Sequence, residues 1–291
     1  MRELRIFTTV TALEEAEALD PIVKKVRSAV NAVIRPRAVR DVLHGVPIGH
    51  AAHPALVLLP VGSWIGSAIL DVVPGTERAS RVLVGTGVAA VLPSVVTGLT
   101  DWSELHQQQQ RVGLVHAVAN VAATGLYAVS FVQRSRGKHA SGRMFGLAGL
   151  ACVGLSGYLG GHLAYRQAAG VNHAEEVPHR FPSGWRPLGG LEEFAENTPE
   201  RRTVDGVEVL VVRRGATVDV LSNTCSHLAG PLDEGELVDV AGEACIECPW
   251  HQSVFSLSDG EVVHGPATAP QPRFDTRVIG GQVELMLPGA G

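Results

Sequence analysis

The sequence predicts a multidomain chain: a four-helix transmembrane bundle followed by an all-β barrel or sandwich. Three observations carry that expectation. Four stretches, Val42–Leu70, Val82–Thr100, Val112–Gln133 and Met144–Tyr165, contain no Asp, Glu, Lys or Arg. From about residue 185 the pattern changes to short β-rich runs punctuated by turn dipeptides. Charge divides along the same line: residues 52–166 hold only 12 charged residues, whereas residues 185–291 carry 17 acids against 7 bases. A length of 291 residues suits two domains, and a net charge of −5 excludes a generally basic nucleic-acid binder.

A helix rising ~1.5 Å per residue crosses a ~30 Å hydrocarbon core in about 20 residues. Each charge-free stretch reaches about that length, so spans are expected near residues 53–73, 81–100, 112–133 and 143–166. His53-Pro54 supplies a natural start for the first. The connections Pro74–Glu77, Gln107–Arg111 and Arg134–Lys138 are short and polar, which makes sequential helices antiparallel neighbours. Gly62 and Gly66, then Gly154, Gly157, Gly160 and Gly161, recur at spacings that let helices approach closely in lipid. The organisation read from this pattern is an N-terminal segment over 1–50, a four-helix domain over 51–169, a Gly- and Pro-bounded linker over 170–184 and a β domain over 185–291. In the N-terminal segment Ile22, Val23, Val26, Val30 and Val33 mark one helical face beside Lys24, Lys25 and Arg27. That suits a membrane surface or a partner helix equally. The first long apolar run begins some fifty residues in, behind mixed charge, unlike a secretory signal.

Antiparallel threading gathers the polar residues of the bundle on one side, called side A here. His53 opens the first span there, Asp101 closes the second, and His116 and His162 lie about one turn from the ends of the third and fourth. Ionisable groups inside a membrane usually line a site or a proton path, and imidazoles ligate haem between helices. His53, His116, His162 and Asp101 are therefore candidates for a haem or quinone site. Hydrogen bonding among themselves and with interfacial lipid is the plainer alternative. Of the two cofactors, quinone needs an imidazole and a carboxylate path for protons.

The motifs of this half are His44-Gly45, Gly49-His50-Ala51-Ala52-His53-Pro54, Thr97-Gly98-Leu99-Thr100-Asp101, His116 and Gly160-Gly161-His162-Leu163-Ala164-Tyr165. On these, residues ~20–175 resemble a family of small four-helix bacterial membrane proteins that brings no known activity with it.

The β half has turn signals at Asp205-Gly206, Asp259-Gly260 and Gly280-Gly281. Two loops carry its chemistry: Cys225-Ser226-His227 and Cys248-Pro249-Trp250-His251. Two thiolates and two imidazoles suit one tetrahedral zinc, or a [2Fe–2S] cluster with both cysteines on one iron and both histidines on the other. A zinc finger pairs cysteines first and histidines later. Here each loop offers one of each, so each can give its thiolate to one iron and its imidazole to the other. Cys245 reads as a buried strand thiol and Cys152 as packing in the fourth span.

These loops, with Leu228–Leu232, Gln252-Ser253, Ser258-Asp259-Gly260-Glu261 and Gly265-Pro266-Ala267, resemble Rieske ferredoxin domains over residues ~185–290. The resemblance implies that Cys225, His227, Cys248 and His251 hold a [2Fe–2S] cluster. Zinc in the same ligands is the remaining alternative. Gly230 and Trp250 stand where the respiratory-complex type has a disulfide, so this chain is like the soluble ferredoxin type. Ser253 keeps a hydroxyl able to donate to a bridging sulfide, while Phe255 replaces a donor tyrosine of the high-potential type. Fewer donors to sulfur imply the lower part of the Rieske potential range. Gln252 replaces the family's usual glycine, which puts the second loop's backbone in question.

A Rieske domain serves as an electron carrier or as the entry port of an oxygenase, and the latter needs a further two-His-one-carboxylate iron domain. Only 40 residues follow His251, with one further histidine, His264, so no such domain is expected. The reading is a membrane-anchored one-electron carrier that exchanges electrons with a haem or quinone in the bundle. A redox sensor, and a tethered ferredoxin of an oxygenase or reductase, are the alternatives. The 15-residue linker, if flexible, reaches about 20 Å and leaves side A together with the fourth span. The acidic surface suits a basic face on a redox partner protein. Side A carries ten Lys and Arg against six opposite, though residues near the spans are nearly balanced. With the missing disulfide, this points to a bacterial inner membrane with the Rieske domain in the cytoplasm.

Overall fold

The structure, a computed structural model, describes residues 5–288. It forms two compact units: the chain up to Arg35 together with Ala51–Ala169, and Pro36–His50 together with the chain from Gly170 onward. The helices are α1 (Arg5–Glu14), α2 (Asp20–Val33), α3 (Arg37–His44), α4 (Ala52–Leu70), α5 (Glu77–Ser103), α6 (Gln107–Ser135), α7 (His139–Arg166) and α8 (Val177–Arg180).

Helices α4 to α7 are each long and apolar enough to cross a membrane. Sequential neighbours pack together, and α4 meets α7 to close the four-helix arrangement. Three of the four helices overrun the expected spans while α4 ends three residues short, and the clearest difference is at Gln107–Arg111, a loop by its polarity and the first turns of α6 in fact. The glutamines serve backbone groups that the helix ends leave open. Gln109 Oε1 accepts from His106 N at 2.9 Å, and Gln110 Nε2 donates to the carbonyls of Trp102 and Ser103 at 3.3 and 3.2 Å. Trp102 Nε1 donates back to the Gln110 carbonyl at 2.9 Å, so α5 and α6 cap one another across a tight turn.

Small residues do admit close contacts, at Gly66 and Gly160 among those the spacing suggested and at others it did not single out. A Cβ on Gly62, Gly154 or Gly157 would meet nothing within 4 Å, so these glycines make no close helix contact. The close approach is at Gly87, where a Cβ would fall 2.3 Å from Trp64 Nε1. Trp64 in turn stacks on Tyr127, with ring centroids 4.1 Å apart and planes 7° from parallel, at the buried centre of the bundle.

Near the loop ends opposite side A lies a feature the sequence did not announce. Arg134, 1% exposed, forks onto Asp71 with two bonds of 2.6 Å. It also donates to Ser130 Oγ at 3.0 Å and Ser80 Oγ at 2.9 Å. Side A is covered by the N-terminal helices: Arg111 forks onto Asp20 at 2.6 and 2.8 Å and donates to the Glu14 carbonyl at 2.7 Å. The guanidinium of Arg111 holds the Asp20 carboxyl below its ordinary pKa. Val23 of the amphipathic face is buried in this unit, while Ile22 and Val33 at its ends stay exposed.

The second unit is antiparallel β. Its strands are β1 (Arg186–Gly190), β2 (Pro199–Val204), β3 (Val207–Arg214), β4 (Thr217–Ser222), β5 (Glu236–Val240), β6 (Glu243–Glu247), β7 (Val254–Ser256), β8 (Val262–His264), β9 (Arg273–Ile279) and β10 (Gln282–Met286). Six form a sheet in the order β1-β10-β9-β4-β3-β2, whose edge strands approach so that it nearly closes, and β5-β6-β7-β8 form a second sheet. Alternation along β3 feeds two cores: Val209 and Val211 face one, Leu210 and Val212 the other.

Two parts of this unit differ from the expected division. The linker over 170–184 does not run free. His173 N donates to the Ser226 carbonyl at 3.0 Å, and Ala174, Val177 and Phe181 are buried. Phe181 packs edge-on against Phe274, with centroids 4.8 Å apart. The polar composition hid an apolar pair at i, i+4 that docks one turn of helix on the sheet. The other difference is Pro36–His50, placed by the sequence reading in an N-terminal segment and grouped here with the β unit.

Candidate metal centre

The two chemistry-bearing loops leave strands of different sheets and share one construction. The first follows β4 and the second joins β6 to β7. Cys225 N donates to the Gly230 carbonyl at 2.8 Å, and the Cys225 carbonyl accepts from Ala229 N at 2.9 Å. Cys248 repeats both bonds at the same spacing, to the Ser253 carbonyl at 2.8 Å and from Gln252 N at 3.0 Å. Each loop is closed by a left-handed residue, Ala229 at φ 59 and Gln252 at φ 61. Non-glycine residues enter that region at a cost of roughly 1–2 kcal/mol. Gln252 thus adopts the conformation that its replacement of glycine had put in question, and Ala229 accepts the same strain in the other loop.

The loops close on each other at Gly230. A Cβ there would lie 2.8 Å from Cys248 Sγ and 3.2 Å from the Trp250 ring, so only glycine fits. All four cysteines are free thiols. Cys225 and Cys248 are 1% and 2% exposed and share a hydrogen bond. That bond and burial push the Cys225 thiol up, while the same bond draws Cys248 down to about 7. His227 and His251 form a second pair, with ring centroids 5.0 Å apart at 86°. Both imidazoles are partly exposed, and Trp250 beside them is 48% exposed.

The donors therefore come as a buried pair of thiols and a partly exposed pair of imidazoles. Among the described residues no group of three or more His, Cys, Asp or Glu is placed to hold one metal ion. Such a donor set suits a binuclear cluster with two sulfur ligands on one iron and two nitrogens on the other. Ser253 is fully buried, and its Oγ accepts from Ala267 N at 3.0 Å, which leaves its O–H able to donate elsewhere. Phe255, also fully buried, packs with Cys225 and Cys248 in the same core and offers no donor. Cys245 lies in β6 with its thiol directed to the Glu243 carbonyl, and burial raises its pKa.

Of the four polar residues singled out in the bundle, the three histidines each hold a different partner. His53 Nδ1 donates to the Ser94 carbonyl at 2.8 Å, and its ring fills the space a Gly98 side chain would take. His116 Nδ1 donates to the Ser156 carbonyl at 2.8 Å, its Nε2 accepts from Asn120 at 3.1 Å, and Gly160 makes room for it. His116 sits nine residues into its helix rather than four, because α6 begins at Gln107. His162 turns instead to Glu14, with Nε2 and Oε1 2.7 Å apart. Asp101 lies in the last turn of α5. A groove of ≈ 370 Å³ lined by Tyr158, Gly161, His162, Tyr165 and Arg166 opens at this end. Sequence reading missed the Asp71–Arg134 pair and the α3 segment; the one available signal was the carboxylate and arginine at helix ends on the same side.

Residues 184–275 match the model of the Rieske [2Fe-2S] domain, and residues 49–173 match that of a predicted membrane protein family, DUF2231. The chain is 34% identical over 101 residues to the anthranilate 1,2-dioxygenase ferredoxin subunit of Burkholderia cepacia, covering 35% of this chain and 90% of that protein. It is 34% identical over 76 residues to the 3-phenylpropionate/cinnamic acid dioxygenase ferredoxin subunit of Escherichia coli, covering 26% of this chain and 69% of the other. Among solved structures, the ferredoxin of carbazole 1,9a-dioxygenase from Nocardioides aromaticivorans is 33% identical, covering 36% of this chain and 99% of its own, with a TM-score of 0.33. With two thiols and two imidazoles paired on twin loops, the chain belongs to the Rieske [2Fe-2S] family, its ferredoxin-like electron-transfer domain joined to a DUF2231 membrane region.

Proposed function

We propose that this protein is a membrane-anchored one-electron carrier in which Cys225, His227, Cys248 and His251 hold the [2Fe–2S] cluster and the bundle binds a quinone. The cluster supplies one-electron transfer. The chain's own residues shield its sulfur side in the core and leave the imidazole side partly open to a partner. The observation that carries the quinone reading is the set of imidazoles His53, His116 and His162 held within the side-A ends of the spans. His53 spends its Nδ1–H on the Ser94 carbonyl and so presents Nε2 as an acceptor, the role a quinol hydroxyl requires. Haem is disfavoured at His116, because Asn120 already occupies the nitrogen an iron would need.

Solvent extraction of detergent-purified protein is expected to yield quinone, and pyridine extraction no haem. His53→Ala should slow reduction of the cluster by quinol about tenfold, the usual effect of one lost buried hydrogen bond. If neither cofactor is extracted and His53→Ala leaves reduction unchanged, the helices serve only as an anchor.

A second reading is favoured by the relatives: a tethered ferredoxin that passes electrons to an oxygenase, as the names of the dioxygenase ferredoxin subunits suggest. Both readings place the cluster domain in the cytoplasm of a bacterial cell, by the loop basicity on side A. A C-terminal alkaline phosphatase fusion should accordingly be inactive and a fluorescent-protein fusion bright; the reverse pattern would invert the orientation.

A further inference from the structure

The cluster-bearing unit contains a strap from far away in the sequence. Arg37 lies 215 residues before Gln252, yet its Nη2 donates to the Gln252 carbonyl at 2.9 Å. The same nitrogen meets Glu247 Oε2 at 3.3 Å. One helical turn later Asp41 grips a third loop: Oδ1 accepts from Gly265 N at 2.9 Å and Oδ2 pairs with His264 Nδ1 at 2.8 Å. A Cβ on Gly265 would lie 2.9 Å from Val46 and 3.5 Å from His44, so the strap sits flush on that loop. The third loop is itself tied to the second, since Ala267 N donates to Ser253 Oγ. Both grips therefore converge on Gln252 and Ser253, the residues that follow His251 and close its loop.

We propose that Arg37 is a positioning residue for the iron–sulfur centre, holding the Gln252–Ser253 peptide and raising the cluster's tendency to accept an electron. The inference rests on the cluster assignment above. Reduction adds one negative charge to the cluster, and a guanidinium on the adjoining peptide favours that charge. A charge-assisted bond to the Gln252 carbonyl also polarises the peptide, so that the N–H on Ser253 becomes a stronger donor. Glu247 opposes this by pairing with the same guanidinium, and 45% exposure of the Arg37 side chain limits the size of the effect. The two charges should act in opposite directions, which a merely structural strap would not produce.

The test is a redox titration of the full-length protein in detergent, followed by electron paramagnetic resonance, with iron content measured on each sample. Arg37→Gln is expected to lower the equilibrium constant for one-electron reduction roughly threefold, about 30 mV. Glu247→Gln should raise it by a similar factor, and Arg37→Lys, which keeps the charge but not the reach and planarity of the guanidinium, should fall between wild type and Arg37→Gln. If Arg37→Gln fails to load iron, the Arg37→Lys and Glu247→Gln shifts decide the matter. Potentials that stay at the wild-type value, or that move together in both charge variants, overturn the role of Arg37. A wild-type protein with no Rieske signal overturns the cluster assignment instead.

Discussion

Cys225→Ser is expected to abolish the Rieske paramagnetic signal, and His251→Ala to do the same, while wild-type protein carries two irons per chain. The two substitutions act on different halves of the centre. Cys225 is 1% exposed and packed among Leu210, Leu221 and Phe255, so its replacement leaves a hydroxyl in a site built for sulfur. Iron in such clusters is held by thiolate, and a serine hydroxyl at this burial does not ionise to replace it. His251 is only partly buried, so alanine there removes a ligand with little cost to the core. Far-ultraviolet circular dichroism should therefore change little in His251→Ala although the signal is lost. Iron content and the reduced-state spectrum are the measurements. Stoichiometric zinc without iron, in wild-type protein grown anaerobically with ample iron, would reverse the assignment.

The Rieske family was legible because its motif is local. One thiol and one imidazole per loop, separated by a fixed run of residues, already distinguish a binuclear cluster from a zinc finger, and the four spans announce themselves by what they lack. What stayed hidden depends on contacts far apart in the chain. Arg37 and Asp41 look like surface residues of an amphipathic helix until β8 and the second cluster loop are folded against them. The 170–184 segment reads as a tether because its prolines and charges outnumber Val177 and Phe181, yet those two apolar residues determine where it lies. Polarity misled again at Gln107–Arg111, where the glutamines cap helix ends. The side-A histidines show the opposite limit. Threading put four residues on one side, but helix rotation decides partners, and His162 is turned to Glu14 rather than to His116.

Arg134→Ala is expected to destabilise the bundle by about 3–5 kcal/mol, because it strands the Asp71 carboxylate inside an apolar helix assembly. The guanidinium is 1% exposed and satisfied on three sides: Asp71 by a two-bond fork, Ser80 by Nη1 and Ser130 by Nε. Ser80 also donates to Asp71 at 2.6 Å, and Ser130 to the Gly142 carbonyl at 2.6 Å, so the network joins α4, α5, α6 and α7. Gly142 admits the arginine stem: a Cβ there would fall 2.5 Å from Arg134 Cγ. Asp71→Ala should cost as much by leaving the opposite charge unpaired. Removing both partners at once, as Asp71→Leu with Arg134→Met, should cost far less than the sum, since no charge is then left buried. The measurement is thermal unfolding of the detergent-purified chain, in which each single variant should melt roughly 10 °C lower. A double variant that melts as low as the sum of the two singles would show that the pair acts through packing and not through charge.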